Sequence, residues 1–261
     1  MTQTSIRITG LQKSFGKGVS KKKVLKGIDL TIERGQIIGY IGPNGAGKST
    51  TVKILCGILT AFEGDIEVMG KPLKGHEQEI KSMIGYVPEN GALYEALSPT
   101  EYLSLVGTLF DMTPELIAER TNSLLKYFEM SQHANQRMDT FSKGMKQKIL
   151  IIASLINNPD ILFLDEPLSG LDANSVILVK DMLSRLAQQG KTIFYSSHLM
   201  DVVEKISDRI ILIDQGQVIA DGTFEELQQD SSASLEQLFA KLTGGESRSI
   251  ESGVFDEVFK N

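Results

Sequence analysis

Gly42-Pro43-Asn44-Gly45-Ala46-Gly47-Lys48-Ser49 places glycines, a lysine and a serine at the spacing with which a backbone wraps a phosphate group. Glycines suit such a loop because its N–H groups turn inward and a Cβ would meet the ligand. The residues after it read as a helix, whose amino terminus adds positive potential. In this pattern Lys48 reaches the β- and γ-phosphates of a nucleotide, Ser49 ligates Mg2+, and Thr50 stands close to the α-phosphate. A second group, Ile161-Leu162-Phe163-Leu164-Asp165-Glu166, is an apolar run that ends in two carboxylates. Alone it is a buried strand with a polar end. Beside a phosphate loop it becomes a metal-binding strand, in which Asp165 holds Mg2+ through water and Glu166 polarises the attacking water. Neighbours on a strand point to opposite sides, so one carboxylate serves the metal and the other the nucleophile.

Those residues need elements to hold them. Ser5–Thr9 and Ile28–Ile32 alternate as strands, and Gln36–Ile41 is a buried apolar run leading into the loop. Gly16–Lys23 reads as a Gly/Lys loop, and Lys21, Lys22 and Lys23 are taken as solvated charge without function. A helix is expected from Lys48 to about Leu59, then strands at Asp65–Met69 and Ile84–Pro88. Ser98 with Pro99 and Glu101 forms a capping box, and Thr113 before Pro114 and Glu115 starts a second helix, so 98–141 reads as a helical insertion. Helix and strand then alternate over 142–157, 160–165, 173–189, 191–196 and 199–206, which predicts a mostly parallel sheet covered on both faces. Arg209–Ile213, the turn Asp214-Gln215-Gly216 and Gln217–Ala220 make a hairpin, and Thr223 with Glu226 caps a further helix. After Gly244-Gly245 a Ser/Glu-rich tail carries one apolar cluster, Val254, Phe255, Val258 and Phe259.

Composition narrows the classes. The 261 residues are 41% hydrophobic and 23% charged, ordinary values for a globular chain. With 27 Lys+Arg against 33 Asp+Glu, there is no net attraction to polyanions, so nucleic acid is not an expected ligand. The longest nearly pure apolar run, Ile149–Ile156, is far below the roughly 18–20 residues of a membrane span. The opening MTQTSIRITG lacks the pattern of a secretory signal, and Cys56, the single cysteine, reads as a small core residue. A cytoplasmic location is expected.

A phosphate loop and an acidic strand also fit kinases, GTPases and RecA-like motors. Four further pieces separate these. Phe141-Ser142-Lys143-Gly144-Met145-Lys146-Gln147-Lys148 stands before the acidic strand and opens an apolar helix. Ser169-Gly170-Leu171-Asp172 follows that strand, His198 follows the strand Thr192–Ser197, and Glu89 follows the strand Ile84–Pro88. In this order, from about residue 4 to 230, the set closely resembles the ABC ATPase family.

The resemblance implies an α/β P-loop NTPase fold of ABC type, with a RecA-like core, an N-terminal antiparallel β subdomain and a helical subdomain at about 90–148. It assigns 1–230 to the ATPase domain and 231–261 to a C-terminal helix and tail. It implies ATP and Mg2+ as cofactors, with two subunits packed head to tail. Ser142 and Gly144 would then touch the γ-phosphate bound by the partner, His198 would hydrogen-bond the γ-phosphate, Asp172 would couple the two sites, and Phe15 would stack on adenine. Glu89 would offer an oxygen to Mg2+ or the attacking water, between the γ-phosphate and a permease. The chain departs from the family pattern at Lys143 and Met145, at Glu89 in place of glutamine, and at Phe15 in place of tyrosine. These variants resemble the export branch, in which the ATPase is a separate chain paired with a six-helix integral membrane permease. The implied partners are that permease and a second copy or a paralogous ATPase subunit, with the chain peripheral on the inner face of the cell membrane. A soluble ABC-type ATPase would carry a tandem cassette or a long coiled-coil insertion, and a P-loop kinase has no use for Phe141–Lys148.

Overall fold

The structure is a computed structural model and describes residues 3–16, 18–197, 199–228 and 233–244. Two sheets carry the fold. The first is antiparallel and runs in the order β2 (Lys22–Glu33), β1 (Thr4–Phe15), β4 (Glu63–Val68) and β5 (Lys71–Pro72). The second contains β3 (Ile37–Ile41), β6 (Ile84–Val87), β7 (Ile161–Asp165), β8 (Thr192–Ser196), β9 (Arg209–Asp214) and β10 (Gln217–Gly222), in the order β10-β9-β3-β8-β7-β6. All its neighbours are parallel except β10 on β9. The helices are α1 (Lys48–Leu55), α2 (Glu77–Ser82), α3 (Pro99–Leu109), α4 (Pro114–Tyr127), α5 (Lys143–Leu155), α6 (Ala173–Gln188), α7 (Met200–Ile206), α8 (Phe224–Gln228) and α9 (Leu235–Leu242).

Because side chains alternate along a strand, the parallel strands feed two cores. Ile37, Ile41, Leu162, Leu164, Ile193 and Tyr195 join residues of α5, α6 and α7 on one face. Ile38, Tyr40, Ile161, Phe163 and Phe194 join α1 and the antiparallel sheet on the other. With both faces covered, β3, β7 and β8 are buried throughout, and their carboxyl ends supply the polar residues. Arg209 ties the two sheets together, donating to both oxygens of Asp221 at 2.6 and 2.7 Å and to the carbonyl of Thr31 at 2.8 Å.

The parallel sheet, the hairpin and the helical insertion follow the sequence pattern. Ser98 caps α3 in the expected box, accepting from Glu101 N at 3.3 Å while Glu101 Oε2 accepts from Ser98 N at 2.8 Å. Four expectations need correction. β1 and β2 are far longer than Ser5–Thr9 and Ile28–Ile32, because bulges around Gly10 (φ +59°) and Gly27 (φ +102°) break the period of two that marks a strand. The loop expected at Gly16–Lys23 is correspondingly shorter, with Lys22 and Lys23 opening β2. Helix α1 stops at Leu55, where Cys56 and Gly57 turn the chain back onto Ile54 and Val52. Past α4 the insertion is not continuous helix, and only short 3-10 turns at Ser131–His133 and Met138–Thr140 lead to Phe141. β5 and α2 carry no sequence pattern long enough to read. The tail cluster Val254, Phe255, Val258 and Phe259 lies outside the described residues, while α9 buries Leu235 and Leu238.

Phe163 is fully buried, with its ring centroid 5.0 Å from that of Phe194. Phe163→Ala is expected to lower unfolding stability by about 3–5 kcal/mol, read from denaturant midpoints. A loss below about 1 kcal/mol would contradict the two-core packing.

Candidate active site

The phosphate loop is the turn between β3 and α1, and its shape is set by what lies behind it. A Cβ on Gly42 would strike Ile213 of β9, and one on Gly47 (φ +116°) would come within 2.6 Å of Leu25 Cδ2 on β2. Gly42 is therefore required by packing against backbone and Gly47 by its left-handed φ, where the sequence suggested contact with ligand. Gly45 (φ +80°) has open space on its Cβ side and supplies a left-handed turn. Tyr40 donates to Thr51 Oγ1 at 3.2 Å, and Thr51 Oγ1 donates to the carbonyl of Gly47 at 3.1 Å, which fixes the first turn of α1 from below. Gly216, in the β9–β10 turn, donates its N–H to the carbonyl of Ala46 and accepts from Lys26 N, both at 2.9 Å. The hairpin thus clamps the loop to β2.

The acidic strand arrives from two strands away. Asp165 ends β7 and is 7% exposed, with Oδ2 accepting from Ser49 Oγ at 3.2 Å and Oδ1 accepting a short bond from Ser196 Oγ, its partner on β8. Glu166 leaves the strand at φ +50°, a left-handed conformation costing an L residue roughly 1–2 kcal/mol. Its N–H donates to the carbonyl of Ser196 at 3.0 Å, and its Oε2 accepts from Ser197 Oγ at 3.3 Å. The turn re-aims the second carboxylate. Gln147 of α5 holds the next residue, donating from Nε2 to the carbonyl of Pro167 at 3.1 Å.

Asn44, Gly45, Gly47, Lys48, Ser49, Thr50, Glu89, Asp165 and Glu166, all expected site residues, line one cavity of about 450 Å³ together with Lys22 and Val24. Gly42 and Pro43 stand behind it, where their carbonyls accept from Lys48 Nζ at 2.5 and 3.2 Å. Burial pushes the Lys48 ammonium below its ordinary pKa, opposed by the nearby carboxylates of Asp165, Glu166 and Glu89. Burial likewise raises the Tyr86 hydroxyl to about 12, with smaller contributions from Cys56, Asp165 and Glu89. Three carboxylates face two ammonium groups across the cavity, so a polyphosphate would enter with a cation. Among the described residues no cluster of three or more His, Cys, Asp or Glu side chains could hold a metal alone. A hydroxyl and a carboxylate 3.2 Å apart at the loop are hard oxygen donors of the kind Mg2+ takes when phosphate completes its shell.

Other expected residues lie apart. Phe15 is 41% exposed at the end of β1, paired across the ladder with Lys22, and Lys13 Nζ sits 4.9 Å from its ring centroid. Exposed Ser142 caps α5, accepting from Met145 N at 3.2 Å. Gly144 packs so closely on the loop after β7 that an added Cβ would be 2.6 Å from the carbonyl of Gly170. Lys143 donates to Ser169 Oγ at 2.9 Å in the same contact. Asp172 caps α6, accepting from Ser175 N at 3.0 Å and from Ser175 Oγ at 2.6 Å. His198 lies outside the described residues. Sequence reasoning missed Ser196 and Ser197, which hold the two carboxylates, and left Lys22 without function although it lines the cavity. Two serines ending a strand carry no distinctive signal. Lys22 gains its direction only from its place opposite Phe15 in the β1–β2 ladder.

A family model described as ABC transporter matches residues 25–169. The linearmycin resistance ATP-binding protein LnrL of Bacillus subtilis (strain 168) is 36% identical over 222 residues, covering 85% of this chain and 70% of that protein. The chain belongs to the ABC transporter family. The solved ATP binding subunit of an ABC transporter superposes with a TM-score of 0.83 at 28% identity, covering 92% of this chain and 99% of that one. An ATP-binding cassette solved as a dimer, in a post-hydrolysis state bound to ADP and Pi, gives 0.77 at 26% identity over 84% of this chain and 98% of its own. This ABC transporter ATP-binding subunit binds nucleotide and is an ATPase. Subunits of the family work with membrane permease partners and dimerise. No helix among the described residues is long and apolar enough to cross a membrane.

The bonds from Ser175 hold the Asp172 carboxyl down at about 2. A folded-state value below the unfolded one adds stability that is complete above about pH 4 and lost as pH falls through about 2. Asp172→Asn keeps a capping oxygen but cannot ionise. The difference in unfolding midpoint between wild type and Asp172→Asn is expected to be constant above about pH 4 and to shrink toward pH 2. A difference independent of pH would remove the ionised cap.

Proposed function

We propose that this subunit hydrolyses Mg-ATP in the cavity between the phosphate loop and β7, and that hydrolysis drives export through a separate membrane permease. One observation carries the reading: residues from three stretches of chain, within 44–50, at 89 and at 165–166, converge on one cavity with the polarity a metal-bound triphosphate needs. Asn44, Gly45 and Gly47 present backbone N–H groups to phosphate. Lys48 exchanges the carbonyls of Gly42 and Pro43 for β- and γ-phosphate oxygens, and Thr50 takes the α-phosphate side. Ser49, Asp165 and Glu89 are the residues that would hold Mg2+, which when bound neutralises charge on the phosphates. Glu166, held by Ser197, accepts a proton from the attacking water. The family resemblance assigns His198 a hydrogen bond to the γ-phosphate, and the exposed ring of Phe15 stacks on adenine. Catalysis in this scheme comes from positioning and fixed charge.

Ser142 and Gly144 stand at an exposed helix amino terminus away from the cavity of their own chain, where a second subunit's γ-phosphate can reach them. That placement, with a relative solved as a dimer bound to ADP and Pi, supports head-to-tail pairing with a second copy or a paralogue. Asp172 then reports across the interface from a loop that also carries Glu166. Export is supported by a relative named for resistance to linearmycin. The subunit would sit on the cytoplasmic face of the membrane, with 1–230 as the ATPase domain, 90–148 as its helical subdomain and the remainder as a C-terminal helix and tail.

Glu166→Gln keeps the shape of the side chain and loses its basic oxygen. Turnover is expected to fall by at least about a hundredfold while ATP binding persists, and Mg-ATP should convert the variant from monomer to stable dimer on sizing. Wild-type turnover in Glu166→Gln would overturn the assignment.

A further inference from the structure

We propose that Lys22 is a second cation of the nucleotide site, contributed by the antiparallel sheet and directed at the phosphates of the bound nucleotide. The inference rests on the nucleotide reading of this cavity and adds a residue that the loop and the acidic strand do not supply.

Three consecutive lysines precede Val24, and strand geometry distinguishes them. Lys21 lies outside β2, which begins at Lys22. Within the strand, Lys22 and Val24 share one face and both line the cavity with Asn44, Gly45 and Lys48. Lys23, opposite Ser14, points to the other face. One lysine of the three is therefore committed to the site by the pleat.

The start of β2 is also fixed relative to the loop. Leu25 packs against Gly47, whose Cα could not carry a Cβ without meeting Leu25 Cδ2 at 2.6 Å. The amide of Lys26 donates to Gly216, which in turn donates to Ala46 of the loop. Lys22 is thus anchored four residues from a point pinned to the phosphate loop, and among the described residues no carboxylate forms an ion pair with it. Its cross-strand neighbour is Phe15, the exposed ring assigned to adenine. A nucleotide stacked on Phe15 with its phosphates in the loop must pass the side chain of Lys22.

The charge balance gives this position a purpose. Glu89, Asp165 and Glu166 face the cavity, and Lys48 is the loop's own cation. Before Mg2+ is held, the phosphates meet net negative charge, and an exposed ammonium at the opposite wall reduces that repulsion. Lys22 is a binding residue in this account and takes no part in moving a proton.

The test measures ATP affinity by calorimetry in the full chain, for wild type, Lys22→Ala, Lys22→Arg, Lys21→Ala, Lys23→Ala and Lys48→Ala, at low and high salt, with thermal midpoints as a folding control. Lys22→Ala is expected to weaken ATP binding roughly threefold to tenfold at low salt, with the difference narrowing at high salt. Lys22→Arg should restore affinity, and Lys21→Ala and Lys23→Ala should bind as wild type. Equal affinity in Lys22→Ala, with Lys48→Ala strongly weakened, would overturn the role of Lys22 and leave the nucleotide site standing. Equal losses in all three single-lysine alanine variants would reduce the effect to general surface charge and overturn it as well. Unchanged binding in Lys48→Ala would overturn the nucleotide reading itself.

Discussion

The hydrogen bond from Ser49 to Asp165 joins the two halves of the site, and the rest of the structure exists to bring those atoms within 3.2 Å. The residues are 116 positions apart, Ser49 in the first turn of α1 after β3 and Asp165 at the end of β7, and β3 and β7 do not touch. β3 leads to the loop, β7 ends at Asp165, and β8 lies between them, so the gap is two strand spacings, about 9–10 Å. The serine at the end of β8 closes that gap, because Ser196 sits beside Asp165 in register and donates to its other oxygen. Such crevices at the carboxyl ends of parallel strands are where α/β sheets bind ligands.

Around this bond, packing takes the place of flexibility. Gly42 is small because β9 presses on the loop from behind, Gly47 because its backbone is left-handed, and the Gly216 turn holds the carbonyl of Ala46. The cost of a left-handed Glu166 is offset by hydrogen bonds from Ser197 and to Ser196, and by Gln147 on the following residue. That last contact has a consequence for signalling. Gln147 and Lys143 belong to the helix capped by Ser142, and both bond the segment 166–172 that begins with the proposed base. On the proposed reading, a ligand at Ser142 and a ligand at Glu166 would both bear on this one short loop, which would couple the two sites.

Much of this was legible in the sequence for local reasons. The phosphate loop, the apolar run ending at Asp165 and Glu166, and the capping box at Ser98 each declare themselves within ten residues. The parallel sheet follows from alternating helix and strand patterns, and the 209–220 hairpin from its turn. What escaped reading depends on distant partners or broken periods. Bulges at Gly10 and Gly27 hid most of β1 and β2, and with them the strand position that gives Lys22 a direction different from Lys23. Ser196 and Ser197 have meaning only once β8 is set beside β7. The packing reason for Gly42 lies in Ile213, on a strand that the loop sequence does not mention.

We propose that Asp165, joined to Ser49, sets the cavity's affinity for Mg2+. Titrating Mg2+ into ATP hydrolysis by wild type and Asp165→Asn, alongside calorimetry of Mg-free ATP, tests it most directly. Asp165→Asn should raise the half-saturating Mg2+ concentration by about tenfold or more, while its affinity for Mg-free ATP should not fall, because a carboxylate facing the phosphates has been removed. An unchanged Mg2+ requirement in Asp165→Asn would contradict the account.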